Sequence, residues 1–99
     1  MGKHYRQVLL EAGKTFETSA KGHSMEPKVM NGQKYILEPV RLEDVKVDDI
    51  VFCKVKGHYY NHLVTAVDKQ KGLQISNNHG HVNGWTKQVY GRIKEILNE

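Results

Sequence analysis

Two residues of this chain carry side chains suited to acyl transfer: Ser24, in Gly22-His23-Ser24-Met25-Glu26-Pro27, and His62, in Tyr60-Asn61-His62-Leu63-Val64. A serine hydroxyl becomes a useful nucleophile when a base within hydrogen-bond reach takes its proton. Imidazole titrates near neutral pH, so it can take that proton and return it to a leaving amine. The same chemistry needs donors for the developing oxyanion and an edge along which an extended peptide can lie. The backbone N–H groups around Ser24 and Met25 are candidate donors. Ser24 also has a plainer reading, since a serine that opens a helical turn caps it through a backbone N–H for about 1 kcal/mol.

The elements that must position these side chains are short and mostly extended. Residues 15–20 alternate weakly and are rich in β-favouring types, which predicts a strand that delivers Ser24. Residues 25–30 are expected to form one helical turn, with Ser24 as N-cap, Pro27 near its start and Asn31-Gly32 as its stop. Residues 34–38 predict a strand ended by Pro39, and Val47-Asp48-Asp49 a turn into a strand over 50–56. Gly57-His58 then links to a run over 59–67, giving a hairpin. Residues 73–76 predict a further strand, 77–84 a polar loop, and 85–93 a return to sheet. Residues 93–97 either continue as strand or finish as a short helix. The first ten residues are either a short helix or an opening strand, ending at Gly13. With no repeat or linker in view, the expectation is a mainly β single domain over residues 1–99 with one or two short helices.

The ordered blocks Gly22-x-Ser24-Met25-x-Pro27, Asn31-Gly32, Val47-x-Asp49-Ile50-Val51, His62-x-Val64, Ser76-Asn77-Asn78 and Gly91-Arg92-Ile93 resemble the signal peptidase and LexA-like serine peptidases. The likeness covers about residues 15–93; its Ser-Met-x-Pro element alone is a weak signal, and the series is the more specific one. The resemblance implies the coiled β-sheet catalytic domain of those enzymes, with Ser24 as nucleophile and Met25 and Pro27 shaping the turn around it. It implies His62 as base: archaeal and endoplasmic-reticulum-type signal peptidases carry histidine in that block, where bacterial signal peptidases and LexA carry lysine.

In the histidine branch the later block reads Gly-Asp-Asn-Asn, with a further aspartate downstream. Here the corresponding positions are Ser76-Asn77-Asn78-His79 and Asn83, so both carboxylates appear as amides. An amide oxygen orients an imidazole but offers no full negative charge to the imidazolium. The resemblance therefore implies Asn83 or Asn77 as a weak orienting group, and either a slow enzyme or a retained fold with lost activity. Gly32-Gln33 also replaces the usual Gly-Asp, which touches a turn contact rather than the chemistry. Ala12-Gly13 resembles the bond at which LexA-like proteins cut themselves. It lies so close to Ser24 that, at up to about 3.6 Å per residue, the intervening chain must also form the delivering strand, and self-cleavage there is not expected.

Composition narrows the partners. A chain of 99 residues allows one modest core, and 38% apolar with 26% charged residues suits a folded domain. No apolar run approaches the roughly 20 residues that cross a bilayer, and no signal-peptide core opens the chain. The expectation is a cytoplasmic protein with no membrane span, a soluble relative of the peptidases such as a phage or mobile element encodes. The lack of an N-terminal DNA-binding domain argues against a complete LexA-type repressor. The net charge of +4 suits salt-sensitive attraction to acidic partners, yet the lysines are scattered and no nucleic-acid-binding signature appears, so no dedicated nucleic-acid binding is expected.

Cys53, alone in an apolar run, reads as a buried strand cysteine. His79-x-His81, with His58 or His62, offers imidazoles but no HExxH motif or cysteine cluster, so neither metal nor other cofactor is expected. Tyr35, Tyr59, Tyr60, Trp85 and Tyr90 are expected to pack within the sheet rather than stack on bases. The expected partner is a protein or peptide segment bound as an added strand, with small residues near the cut if the habit of the resembled family holds. A peptide-binding module without efficient chemistry is the alternative, and a basic β domain that binds nucleic acid a third.

Overall fold

The structure, a computed structural model, describes residues 2–98. Helix α1 (Tyr5–Glu11) is followed by strands β1 (Phe16–Ser19), β2 (Lys34–Pro39), β3 (Ile50–Val55), β4 (His58–Asp68), β5 (Gly72–Ser76), β6 (Val82–Thr86) and β7 (Val89–Ile96). A single 3-10 turn (Leu42–Asp44) lies between β2 and β3. The strands form one antiparallel sheet in the order β1-β2-β7-β3-β4-β5-β6.

The expected mainly β domain is present, and its central hairpin follows from local chemistry. Lys56 and Gly57 both take positive φ, 50° and 84°, and join Val55 directly to His58 through a two-residue turn whose twist suits the flanking strands. Strand β3 is apolar almost throughout because both its faces are buried. Ile50 and Phe52 pack with Leu10, Met25, Val29, Tyr35, Leu37 and Leu63, whereas Val51, Cys53 and Val55 pack with Val45, Val64, Leu73 and Ile75. Cys53 is the buried cysteine expected, and desolvation pushes its thiol up to about 12.

The opening segment resolves as helix. The N–H of Arg6 donates to His4 Nδ1 at its start, and Gly13 (φ 81°) ends it with N–H bonds from Gly13 and Lys14 back to Leu10 and Leu9. At the other end, residues 93–96 continue as strand. The polar loop expected over 77–84 is shorter than predicted, since β6 begins at Val82. Its alternation is weak because β6 is an outer strand with a bulge, so little of it is buried on either face.

Residues 24–28 are turns rather than regular helix, and the N–H of Val29 donates to the Met25 carbonyl at 3.0 Å, which closes the single helical turn expected within residues 25–30. Side chains and distant segments claim the other backbone groups that a longer helix would use. Met30 N–H donates to Gln33 Oε1 and Asn31 N–H to Glu26 Oε2, while the carbonyls of Ser24 and Glu26 accept from Asn78. A six-residue segment is also too short to repay helix nucleation unaided. The expected stop at Asn31-Gly32 is present, with Gly32 at φ 83°.

The sheet curls until its far parts meet. Thr86 Oγ1 on β6 donates to the Lys54 carbonyl on β3 at 2.6 Å, and Asn78 N–H, between β5 and β6, donates to the Ser24 carbonyl at 2.7 Å. Two connections from opposite ends of the strand order are thereby joined. Among the described residues no helix is long and apolar enough to cross a membrane.

Candidate active site

Three elements converge on one hydrogen-bonded line. Ser24 comes from the connection after β1, His62 from the interior strand β4 and Asn83 from the outer strand β6. Ser24 Oγ lies 3.0 Å from His62 Nε2, and His62 Nδ1 lies 2.7 Å from Asn83 Oδ1. With Asn83 Oδ1 as acceptor, Nδ1 carries the ring hydrogen and Nε2 is left with its lone pair toward the serine hydroxyl. Ser24 therefore does not act as the expected N-cap; its hydroxyl faces the imidazole.

The placement of Asn83 depends on a defect in β-pairing. Ile75 pairs with Gly84 and Ser76 with Val82, so Asn83 is the extra residue of a bulge. A bulge bends its strand and re-aims the unpaired residue, which here meets His62. Asn77, the other amide considered for this role, does not orient the imidazole. Its Oδ1 instead accepts the N–H groups of His79 and His81 at 2.8 and 3.0 Å, folding the loop between β5 and β6.

That loop grips the serine turn at three carbonyls. His79 Nε2 lies 2.9 Å from the His23 carbonyl, Asn78 N–H donates to Ser24 O at 2.7 Å, and Asn78 Nδ2 donates to Glu26 O at 3.1 Å. On the other side, Asn31 Oδ1 accepts from Gly22 N–H at 2.9 Å, and Glu26 Oε2 lies 2.9 Å from His23 Nδ1. The backbone N–H of Asn31, followed by His23, holds the Glu26 carboxyl below its ordinary value. Met25 anchors the turn through its buried side chain, whereas Pro27 lies exposed on its outer side. Gln33, in place of the aspartate of the resembled pattern, accepts from Met30 N–H and so still serves the turn.

Burial lowers the His62 pKa below the usual imidazole range; the Asn83 hydrogen bond opposes that shift and the nearby His81 adds to it. The environment thus favours the neutral ring, the form able to accept a proton. Tyr60, two residues earlier on the same strand face, packs its ring against His62 with centroids 4.9 Å apart. Both line a cleft of about 360 Å³ together with Ser24, Met25, Lys21 and Arg6. A larger open depression of about 850 Å³, bordered by Leu10, Val40, Arg41, Lys87 and Arg92, contains neither Ser24 nor His62. Its Arg92 is held by Glu38 and Asp49. Ser24 and His62 thus face the smaller cleft.

Several site neighbours lack a distinctive sequence signal. Arg6 spans from α1 to Tyr35 Oη at 2.9 Å, Thr18 Oγ1 at 2.9 Å and the Ser19 carbonyl at 3.0 Å, and Tyr35 Oη donates to Asn61 Oδ1 at 3.3 Å. Nothing in the local sequence marks an arginine of the first helix as a wall of the cleft. Tyr60 was detectable through its period-two spacing from His62. His58 and His81 are exposed, and among the described residues no group of three or more His, Cys, Asp or Glu side chains is arranged to hold a metal ion. The chain matches no known protein family, no curated protein and no solved structure.

Proposed function

We propose that this protein is a serine peptidase in which Ser24 is the nucleophile, His62 the general base and Asn83 the group that orients the base. The observation that carries this reading is the continuous Ser24–His62–Asn83 line, with heavy-atom separations of 3.0 and 2.7 Å, at an accessible cleft. Ser24 Oγ attacks a peptide carbonyl carbon as its proton passes to His62 Nε2, and the carbonyl π pair becomes the oxyanion. Collapse of that intermediate breaks the C–N bond, and the departing amine takes the proton from His62. Water, activated by the same imidazole, then hydrolyses the acyl-enzyme. The N–H groups of Ser24 and Met25 stabilise the oxyanion; among the described residues neither donates to a protein acceptor.

The substrate is a protein segment in extended form. Strand β1 lies at one end of the sheet, and among the described residues no strand pairs with its outer side, although Arg6 holds the Ser19 carbonyl; the chain runs from β1 to Ser24, so an added strand would lead toward the nucleophile. The curled antiparallel sheet also agrees with the coiled catalytic domain of the signal peptidase and LexA-like group, which we take as the fold.

An alkyl fluorophosphonate tests the reading. Mass spectrometry should find a single adduct on Ser24 that Ser24→Ala abolishes and His62→Ala slows at least about a hundredfold, within the range for losing a general base. Absence of an adduct from the folded wild-type protein overturns it. One observation favours a second reading, a peptide-binding module with little turnover: the partner of His62 is an uncharged amide, which gives the imidazolium less support than a carboxylate. Peptide binding at the cleft without Ser24 labelling would identify that module.

A further inference from the structure

We propose that Asn78 is a positioning residue that aims the Ser24–Met25 peptide so that the Met25 N–H serves as an oxyanion donor. The inference rests on the peptidase reading and extends it to a residue outside the Ser24–His62–Asn83 line. Asn78 reaches the nucleophile turn twice: its backbone N–H donates to Ser24 O at 2.7 Å and its side-chain Nδ2 to Glu26 O at 3.1 Å. In a planar trans peptide the C=O and N–H point in opposite directions. Holding the Ser24 carbonyl against the loop between β5 and β6 therefore turns the Met25 N–H away from that loop. The second bond fixes the next part of the turn, limiting rotation of this peptide about its neighbouring bonds.

The geometry assigns different tasks to neighbouring asparagines. Asn77 folds its own loop through Oδ1, whereas Asn78 uses the folded loop to grip another segment. His79 reinforces the grip at the His23 carbonyl. None of these contacts reaches the imidazole. Loss of the Asn78 side chain keeps the backbone N–H bond to Ser24 O but releases Glu26 O, so the peptide is free to rotate and oxyanion stabilisation should weaken while the titration of His62 stays in place.

The test measures the pH dependence of Ser24 labelling by an alkyl fluorophosphonate in wild type, Asn78→Ala and Asn78→Gln. In this reaction Ser24 Oγ bonds to phosphorus, fluoride leaves, and the serine proton passes to His62, while the phosphoryl oxygen takes the oxyanion position. Folded Asn78→Ala should show a plateau rate lower by about 10- to 100-fold, short of the full loss of an oxyanion donor, with an unmoved inflection. Asn78→Gln, which keeps an amide donor, should recover part of the loss. A wild-type plateau in Asn78→Ala, or a loss accompanied by a shifted inflection, overturns the positioning role. Should Asn78→Ala fail to fold, Asn78→Gln and Asn78→Asp decide: Asp, of the same shape but unable to donate, must fall below Gln, and equal rates overturn the role. No Ser24-dependent labelling in wild type removes the peptidase reading and this inference together; normal wild-type labelling with an indifferent Asn78 removes only the inference.

Discussion

His62 combines two opposing influences that determine how the site responds to pH. Burial disfavours its charged form, and the Asn83 hydrogen bond recovers only part of that penalty. The neutral base should therefore persist below the ordinary imidazole pKa of about 6.5. Labelling of Ser24 should rise with pH through an inflection below that value and then level off. Asn83→Asp places a carboxylate against Nδ1–H, which favours the imidazolium; the inflection should move to higher pH as the plateau increases by about tenfold or more. Stopped-flow labelling across pH would measure both quantities, and an unchanged inflection in Asn83→Asp would show that residue 83 does not govern the base. Cys53 offers no competing nucleophile, because its buried thiol is pushed up to about 12 and remains protonated at neutral pH.

At the scale of elements, the contact between β2, β7 and α1 depends on the absence of a side chain at Gly91. A Cβ there would lie 2.6 Å from the Glu38 carbonyl oxygen and 2.7 Å from Leu10 Cδ2, so Gly91→Ala must separate a strand pair or displace the helix. Such overpacking typically costs about 1–3 kcal/mol. The thermal midpoint should fall by several degrees or more, at roughly 4–8 °C per kcal/mol for a domain of this size, with Ser24 labelling at 25 °C retained. An unchanged midpoint would refute the close-approach account. Gly91 was legible only as part of a block resembling known peptidases; its physical role needed the packing of α1. The hairpin β3–β4 was more legible because apolar runs and the Lys56-Gly57 turn specify it locally. Ser24 and His62 were likewise visible from residue type and order. The choice between Asn77 and Asn83 was not, because a bulge decides which amide reaches the ring and no local periodicity reveals that defect. The segment after Ser24 makes a single helical turn and no regular helix, because its remaining backbone groups are satisfied by Asn78, Gln33 and Glu26 through contacts that propensity does not encode.

Across the whole molecule, curling of the sheet creates the site by joining regions from opposite ends of the strand order. His62 belongs to an 11-residue interior strand, whereas Ser24 follows the four-residue outer strand β1 and Asn83 lies in the five-residue outer strand β6. Short outer strands bury fewer apolar groups and open at lower free energy than interior strands. Buried side chains on both faces of β3 and the long β4 should hold the centre of the sheet after the serine turn and the 77–81 loop have separated. Ser24 labelling in urea should consequently decline at concentrations where far-UV circular dichroism still reports an intact sheet. Hydrogen exchange should show the same order, with earlier exposure of Asn78 N–H, which holds the Ser24 carbonyl, than of the β3–β4 amides. Coincident loss of labelling, sheet signal and both sets of protected amides would establish one cooperative unit instead, because assembly of the site and formation of the central sheet could then not be separated.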